Sequence, residues 1–138
     1  MIDTSKWTRY VLAILRIMTA LLFLEHATMK FLQFPDPIPG VSYPLPTIMI
    51  IAGAIEVITS VLMLVGFQTR IAAFIASGEM AAAYFMGHMP YGFWPALNMG
   101  EVAILFCFIF LYIAFAGGGA WTLDGGHRPT GLKAKGTA

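Results

Sequence analysis

Seven ionisable side chains stand inside segments that are otherwise apolar. Four lie in one stretch, RIMTALLFLEHATMK: Arg16, Glu25, His26 and Lys30. Three more are spread along the later hydrophobic segments: Glu56, Glu79 and Glu101. A charge at the centre of a membrane-spanning helix costs roughly 2.5–3.5 kcal/mol on insertion scales, so these groups need partners, water or a change of protonation state. Four carboxylates face two fixed cations, Arg16 and Lys30. The count anticipates two paired glutamates, one of them held by Arg16, and two that are protonated, hydrogen-bonded to His26 or Asn98, or wetted. A buried carboxyl held near neutrality can bind or relay a proton. At about 100° per residue, His26 and Lys30 share a helix face, Arg16 lies within about 80° of both, and Glu25 points about 180° from Arg16. The expectation is that the seven residues meet in one ligand-binding pocket, with no catalytic residue assigned. The same groups can equally act as helix-to-helix glue without any substrate.

The elements that must position them follow from composition. The chain has 138 residues, 59% hydrophobic and 11% charged, with mean hydropathy +0.78. Soluble domains carry about 25% charge, so the deficit points to lipid as solvent. The length suits one domain covering residues 1–138 with no separate soluble module. A net charge of +1 without a dense Lys/Arg run argues against nucleic acid. The lone Cys107, in LFCFIF, rules out an internal disulfide or CxxC centre and reads as a buried thiol. No Met/His/Cys spacing makes a metal site.

Four spans are expected, about 10–34, 47–66, 69–87 and 96–116, forming an all-α, membrane-embedded antiparallel four-helix bundle. The first ends at PDPIPG, where proline cannot continue a helix. It is expected to be retained rather than cleaved as a signal. Thr47 suits the N-cap of the second span and Gly66 its C-cap. The short turn FQTR forces an antiparallel hairpin into an Ala/Gly/Ser-rich third span, which suits a close-packed interface. Asn98 and Glu101 fall in the first turns of the fourth. GGGAW then stops the helix, and a short polar tail follows that is expected to be mobile at its end. Lys6, Arg9, Arg70, Arg128, Lys133 and Lys135 flank the two termini and the second loop. The positive-inside rule then places both termini in the cytoplasm, in a prokaryotic inner membrane.

The Arg16 helix ending FLEHATMKFL, the block AGAIEVITSVLMLVGFQTR and the tail GGGAWTLDGG together resemble the DoxX family of small four-helix membrane proteins. The matching positions are Arg16, His26, Lys30, Glu56, Gly66, Thr69, Arg70, Glu101, Trp121 and Asp124. Ala27 stands where the family usually has Gly after the His, and Glu25 is an additional charge. The family takes its name from a subunit associated with archaeal quinone-linked thiosulfate oxidation, and other members are linked to redox complexes and thiol stress. The resemblance therefore implies membrane redox or quinone association.

Three functions are compatible with these residues. The first is a quinone-interacting subunit of a membrane oxidoreductase, in which His26, Lys30, Glu56 and Glu101 meet the quinone oxygens and Arg16 holds a carboxylate. Any electron source would then be a partner protein or a bound cofactor. The second is a non-catalytic accessory subunit that docks onto other membrane subunits through small-residue helix faces. A small proton-coupled carrier ranks last, because no broken-helix pair is evident.

Overall fold

The computed structural model describes residues 4–125, and every regular element among them is helical. Helix α1 spans Ser5–Leu32, α2 Thr47–Val65 and α3 Thr69–Ala83. The chain continues from α3 through a π-helical turn, Tyr84–His88, and a 3-10 turn, Met89–Tyr91. A single helical turn, α4 (Pro95–Asn98), precedes the last long helix, α5 (Glu101–Ala116). Arg128, Lys133, Lys135 and the end of the tail lie outside the described residues.

Several boundaries differ from the sequence expectation for local reasons. Helix α1 starts earlier, taking in the polar residues from Ser5, and stops at Leu32 because Gln33 turns left-handed (φ 52°) and donates its N–H back to the Thr28 carbonyl. Phe34, which precedes Pro35, is in any case disfavoured in the α region. Thr47 sits inside the first turn of α2 rather than capping it; Pro46 holds the cap position in extended geometry without a side-chain bond. Gly66 ends α2 at φ 70°, its N–H reaching the Leu62 and Met63 carbonyls. Helix α3 loosens into the π turn just before Pro90, which stands in the first turn of the 3-10 segment and cannot continue an α-helix. The expected fourth span is interrupted: Met99 is left-handed (φ 60°), and the Asn98 carboxamide oxygen accepts the Gly100 N–H at 2.8 Å. A side chain that bonds its own backbone in this way competes with helix continuation.

Helix α1 packs along α2, α2 along α3, and α3 along α5, while α1 and α5 meet over a much thinner seam. The Gly66–Gln68 turn reverses the chain between α2 and α3. Alanines make the α3–α5 contact close: Ala72, Ala73 and Ala76 are buried, and Ser77 Oγ donates to the Cys107 carbonyl at 2.8 Å. Phe23 of α1 fills the centre against Phe106 and Phe110, with ring centroids 5.7 and 4.8 Å away.

Polarity is inverted relative to a water-soluble bundle. Arg16, Lys30, Glu56, Thr59, Ser60 and Ser77 point inward, while Ile14, Met18, Ile58, Phe74, Phe108 and Phe115 are exposed. Such an exterior needs an apolar solvent. By length and composition α1 (from Lys6) and α2 are long and apolar enough to cross a membrane, whereas α5 is apolar but shorter, at 16 residues.

Candidate functional site

Arg16 is fully buried near the end of the molecule that holds Arg9, Arg70 and the segment Gly117–Asp124. Its guanidinium carries five N–H donors and no acceptor, and all five are used. Nε donates to the Gly118 carbonyl at 2.9 Å, and Nη1 to those of Met63 and, at 3.2 Å, Leu64. Nη2 donates to Ala120 at 3.2 Å and Trp121 at 2.9 Å. Met63 and Leu64 lie in the last turn of α2, where carbonyls lack their i+4 helical partners, that of Met63 keeping only the capping Gly66 N–H, and where the helix dipole is negative. Arg16 therefore neutralises a helix C-terminus and a loop. It pairs with no carboxylate among the described residues, where the one ion pair is Lys30–Glu56.

The rest of GGGAWTLD completes this clasp. The Ala120 N–H donates to the Arg9 carbonyl at 2.9 Å, and the Leu123 and Asp124 N–H groups close the end of α2 through Val65 and Gly66. Gly119 (φ 74°) lies so near α1 that a Cβ would stand 2.4 Å from the Arg9 carbonyl oxygen. The Asp124 carboxylate supplies the N-terminal cap that α3 lacks. Oδ1 accepts the Gln68 N–H at 2.8 Å and Oδ2 the Thr69 N–H at 3.0 Å. Partial burial pushes the Asp124 carboxyl up, but the Thr69 and Gln68 N–H groups and the Arg16 charge together outweigh it and hold its pKa below the ordinary value. Arg70 donates to the Ala114 and Phe115 carbonyls at the end of α5.

A second polar cluster joins α1, α2 and α3. Lys30 Nζ donates to Glu56 Oε1, with 8% and 1% of the two residues exposed. Gly53 makes this reach possible: an added Cβ there would stand 2.7 Å from the Phe31 ring and 3.2 Å from the Lys30 stem. Glu79 is half-buried and lies within electrostatic range of both Glu56 and Lys30. Glu56 Oε2 and Glu79 Oε2 are buried without a hydrogen-bond partner among the described residues.

The remaining expected residues gather at the thin α1–α5 seam. Thr19, Leu22, Glu25 and His26 of α1 face Val102, Leu105, Phe106 and Ile109 of α5 across a groove of about 300 Å³. Leu22, Val102 and Leu105 are exposed, so the groove is open to the exterior. His26 stands edge-on to Phe106, centroids 5.8 Å apart at 89°. Its Nδ1 lies 3.0 Å from the Leu22 carbonyl; a carbonyl only accepts, so in the neutral ring Nδ1 carries the proton and Nε2 is an acceptor. Glu25 is exposed beside it. Glu101 is exposed one turn before Leu105 on the same face of α5.

The seven residues expected to share one pocket thus fall into separate places. Arg16 belongs to the clasp; Lys30, Glu56 and Glu79 form the buried cluster; Glu25 and His26 line the groove, while Glu101 stands exposed at the start of α5, outside the groove lining. His26 lies within electrostatic range of Glu56, so the cluster and the groove are neighbours. Asn98 bonds no glutamate: its Nδ2 donates to the Gly92 carbonyl at 2.8 Å, and its own carbonyl accepts from His88 Nδ1 at 3.1 Å. Sequence reasoning passed over Asp124 as a cap and the tail carbonyls as the Arg16 receptor. The readable signal was a glycine run followed at short range by a carboxylate.

Comparison with known proteins bears on the identity of this arrangement. A sequence profile described as DoxX matches residues 11–89. A protein of Haemophilus influenzae (strain ATCC 51907 / DSM 11121 / KW20 / Rd), itself described as an uncharacterized protein, is 43% identical over 129 residues, covering 88% of this chain and 94% of its own length. No solved structure matches. The matched span carries Arg16, the Lys30–Glu56–Glu79 cluster and the α1 wall of the groove, and with the near full-length relative it establishes that the chain belongs to the DoxX family of small membrane proteins.

Proposed function

We propose that this protein is a membrane-embedded four-helix bundle that binds a quinone in the α1–α5 groove, as the quinone-interacting subunit of a membrane redox complex. The observation that carries the reading is the make-up of the groove. Six of its eight lining residues offer carbon surface or a satisfied hydroxyl, and one end presents an imidazole and a carboxylate. About 300 Å³ is at the lower end of small-molecule sites and suits a single ring. Thr19 already spends its hydroxyl on the Leu15 and Arg16 carbonyls, so it contributes its methyl face. The exposed Leu22, Val102 and Leu105 leave a lateral path for a lipophilic molecule arriving from the bilayer.

A bound quinone supplies two-electron, two-proton redox chemistry, and the residues present fit such a molecule. Phe106 and Ile109 pack against a ring and exclude water. His26 offers Nε2 as a proton acceptor, oriented by the Leu22 carbonyl. Glu25 supplies a further acceptor at the same end, and Glu101 stands one turn before Leu105 at the start of α5. No metal, haem or cysteine pair has a role in this reading, and electrons come from a partner subunit or a cofactor bound to it.

Orientation belongs to the same proposal. Lys6, Arg9 and Arg70 gather at the clasp end, which supports a cytoplasmic position for that end and for both termini in a prokaryotic inner membrane. Equilibrium binding of a short-chain quinone to the protein in lipid nanodiscs tests the proposal. Saturable binding is expected, weakened at least tenfold by His26→Ala or by the groove-filling Leu105→Trp. Binding that is absent, or indifferent to both changes in monodisperse protein, refutes it.

A non-catalytic accessory subunit is the second reading. It is favoured by the apolar connection between α3 and α5, where Tyr91 and Met99 are 84% and 82% exposed and would suit contact with a partner subunit. Substitutions there would reduce recovery of a complex without altering turnover of the complex recovered.

A further inference from the structure

The cluster of Lys30, Glu56 and Glu79 does not close its own charge count. One ammonium faces two carboxyl groups, and the ammonium is committed to Glu56 Oε1. Glu56 is 1% exposed, yet its Oε2 has no partner among the described residues, and neither does the buried Oε2 of Glu79. Two ionised carboxylates beside one cation would leave a net negative charge in a low-dielectric interior, with two acceptor atoms unsatisfied. Desolvation of an unpaired carboxylate is costly enough that such groups neutralise instead. A carboxyl group that keeps its proton converts an orphan acceptor into a donor and removes the surplus charge in one step.

We infer that Glu56 and Glu79 together hold one exchangeable proton beside Lys30, making the α1–α2–α3 cluster a buried proton-binding site. A metal ion is the poorer occupant, because hard cations take six or more oxygen ligands and the cluster offers two free oxygens next to an ammonium. The groups that act on the pair are Lys30 and His26 from α1 and the two glutamates of α2 and α3. From α5, Cys107 packs on Ser77, two residues before Glu79, and Glu101 is exposed. Glu79 is only half-buried, and its neighbour Gly78 lies at the surface of α3 with nothing packed over it. The site borders the groove through His26, and its proton does not depend on a quinone being bound there.

Infrared spectroscopy of the full chain in lipid nanodiscs reads the proton directly, because a protonated carboxyl has its own carbonyl band and shifts it in D2O. At pH 7 one such band is expected. It should vanish in Glu79→Gln, stay in Glu79→Asp with a shifted position, and persist in Glu25→Gln and Glu101→Gln. Loss of the band in Glu25→Gln or Glu101→Gln, its survival in Glu79→Gln, or its absence from the unmodified protein overturns the inference. Displacement of the band by sodium ions at pH 7 also overturns it, since the site would then be a metal-ion site. Should Glu79→Gln not yield monodisperse protein, a dye-detected titration of the unmodified chain decides. One proton released as the band disappears on raising the pH supports the site, and none released refutes it.

Discussion

A guanidinium that satisfies five carbonyls cannot be replaced by an ammonium with three donors. Arg16→Lys keeps the charge but leaves at least two buried carbonyls unpaired, each costing on the order of 1 kcal/mol or more. We expect a stability loss of about 2–4 kcal/mol, measured as thermal unfolding in mild detergent. A loss no larger than that of an exposed substitution such as Lys6→Ala would contradict the clasp. Asp124 gives a second residue-scale prediction. Because its folded pKa is depressed, the stability it contributes is fully present above the ordinary carboxylate value near pH 4. That contribution fades as the pH falls through the lower folded value. The melting-temperature gap between the unmodified protein and Asp124→Ala, about 1 kcal/mol for a lost helix cap, should be constant from pH 5 to 7 and close below pH 4; a gap unchanged at pH 3 would refute the assignment. These residues also show what was legible beforehand. That Arg16, Lys30 and Glu56 need compensation follows from residue type and apolar surroundings. The identity of the compensator does not, because the Arg16 partners are main-chain carbonyls more than 40 residues away, which carry no side-chain signature.

At the scale of elements, close approaches decide which helices meet. Gly53 brings α1 onto α2 so that Lys30 reaches Glu56, and Gly119 lets the tail lie on α1. The latter contact is with backbone and the former with a side chain that can swing, so the two positions should respond differently. Gly119→Ala has both a left-handed φ and a backbone clash, and strain of this kind costs on the order of 1–3 kcal/mol. Gly53→Ala requires only that the exposed Phe31 ring move. Unfolding midpoints of the two variants should therefore differ clearly, with Gly119→Ala the lower; equal midpoints would show that the tail does not press on α1. The length of the apolar runs revealed the long helices, and the proline clusters their connections. The break at Met99 was hidden, since it rests on one carboxamide bonding its own backbone, and Asn98 reads equally well as a first-turn helical residue.

For the whole molecule, the inverted polarity makes the bilayer part of the fold. Helix α1 at 28 residues is about 42 Å long and α5 at 16 residues about 24 Å, against a hydrocarbon core of about 30 Å. A mismatch of this kind is met by tilting of a longer helix and by local bilayer thinning beside a shorter one. In a Cys107→Ser background, a cysteine at Arg70 should react with an impermeant thiol reagent only from the cytoplasmic side and one at Tyr91 only from the opposite side. Reaction of both from the same side would overturn the four-span arrangement. The lipid-facing exterior also makes the α1–α5 groove accessible to a membrane-soluble ligand, which is the centre of the functional account. Photolabelling of the reconstituted protein with an azido-quinone tests this most directly. Saturable labelling of peptides carrying Leu22–His26 and Val102–Ile109, competed by unmodified quinone and lost in Leu105→Trp, is the predicted result; labelling that is unsaturable, or confined to the α3–α5 connection, would contradict it.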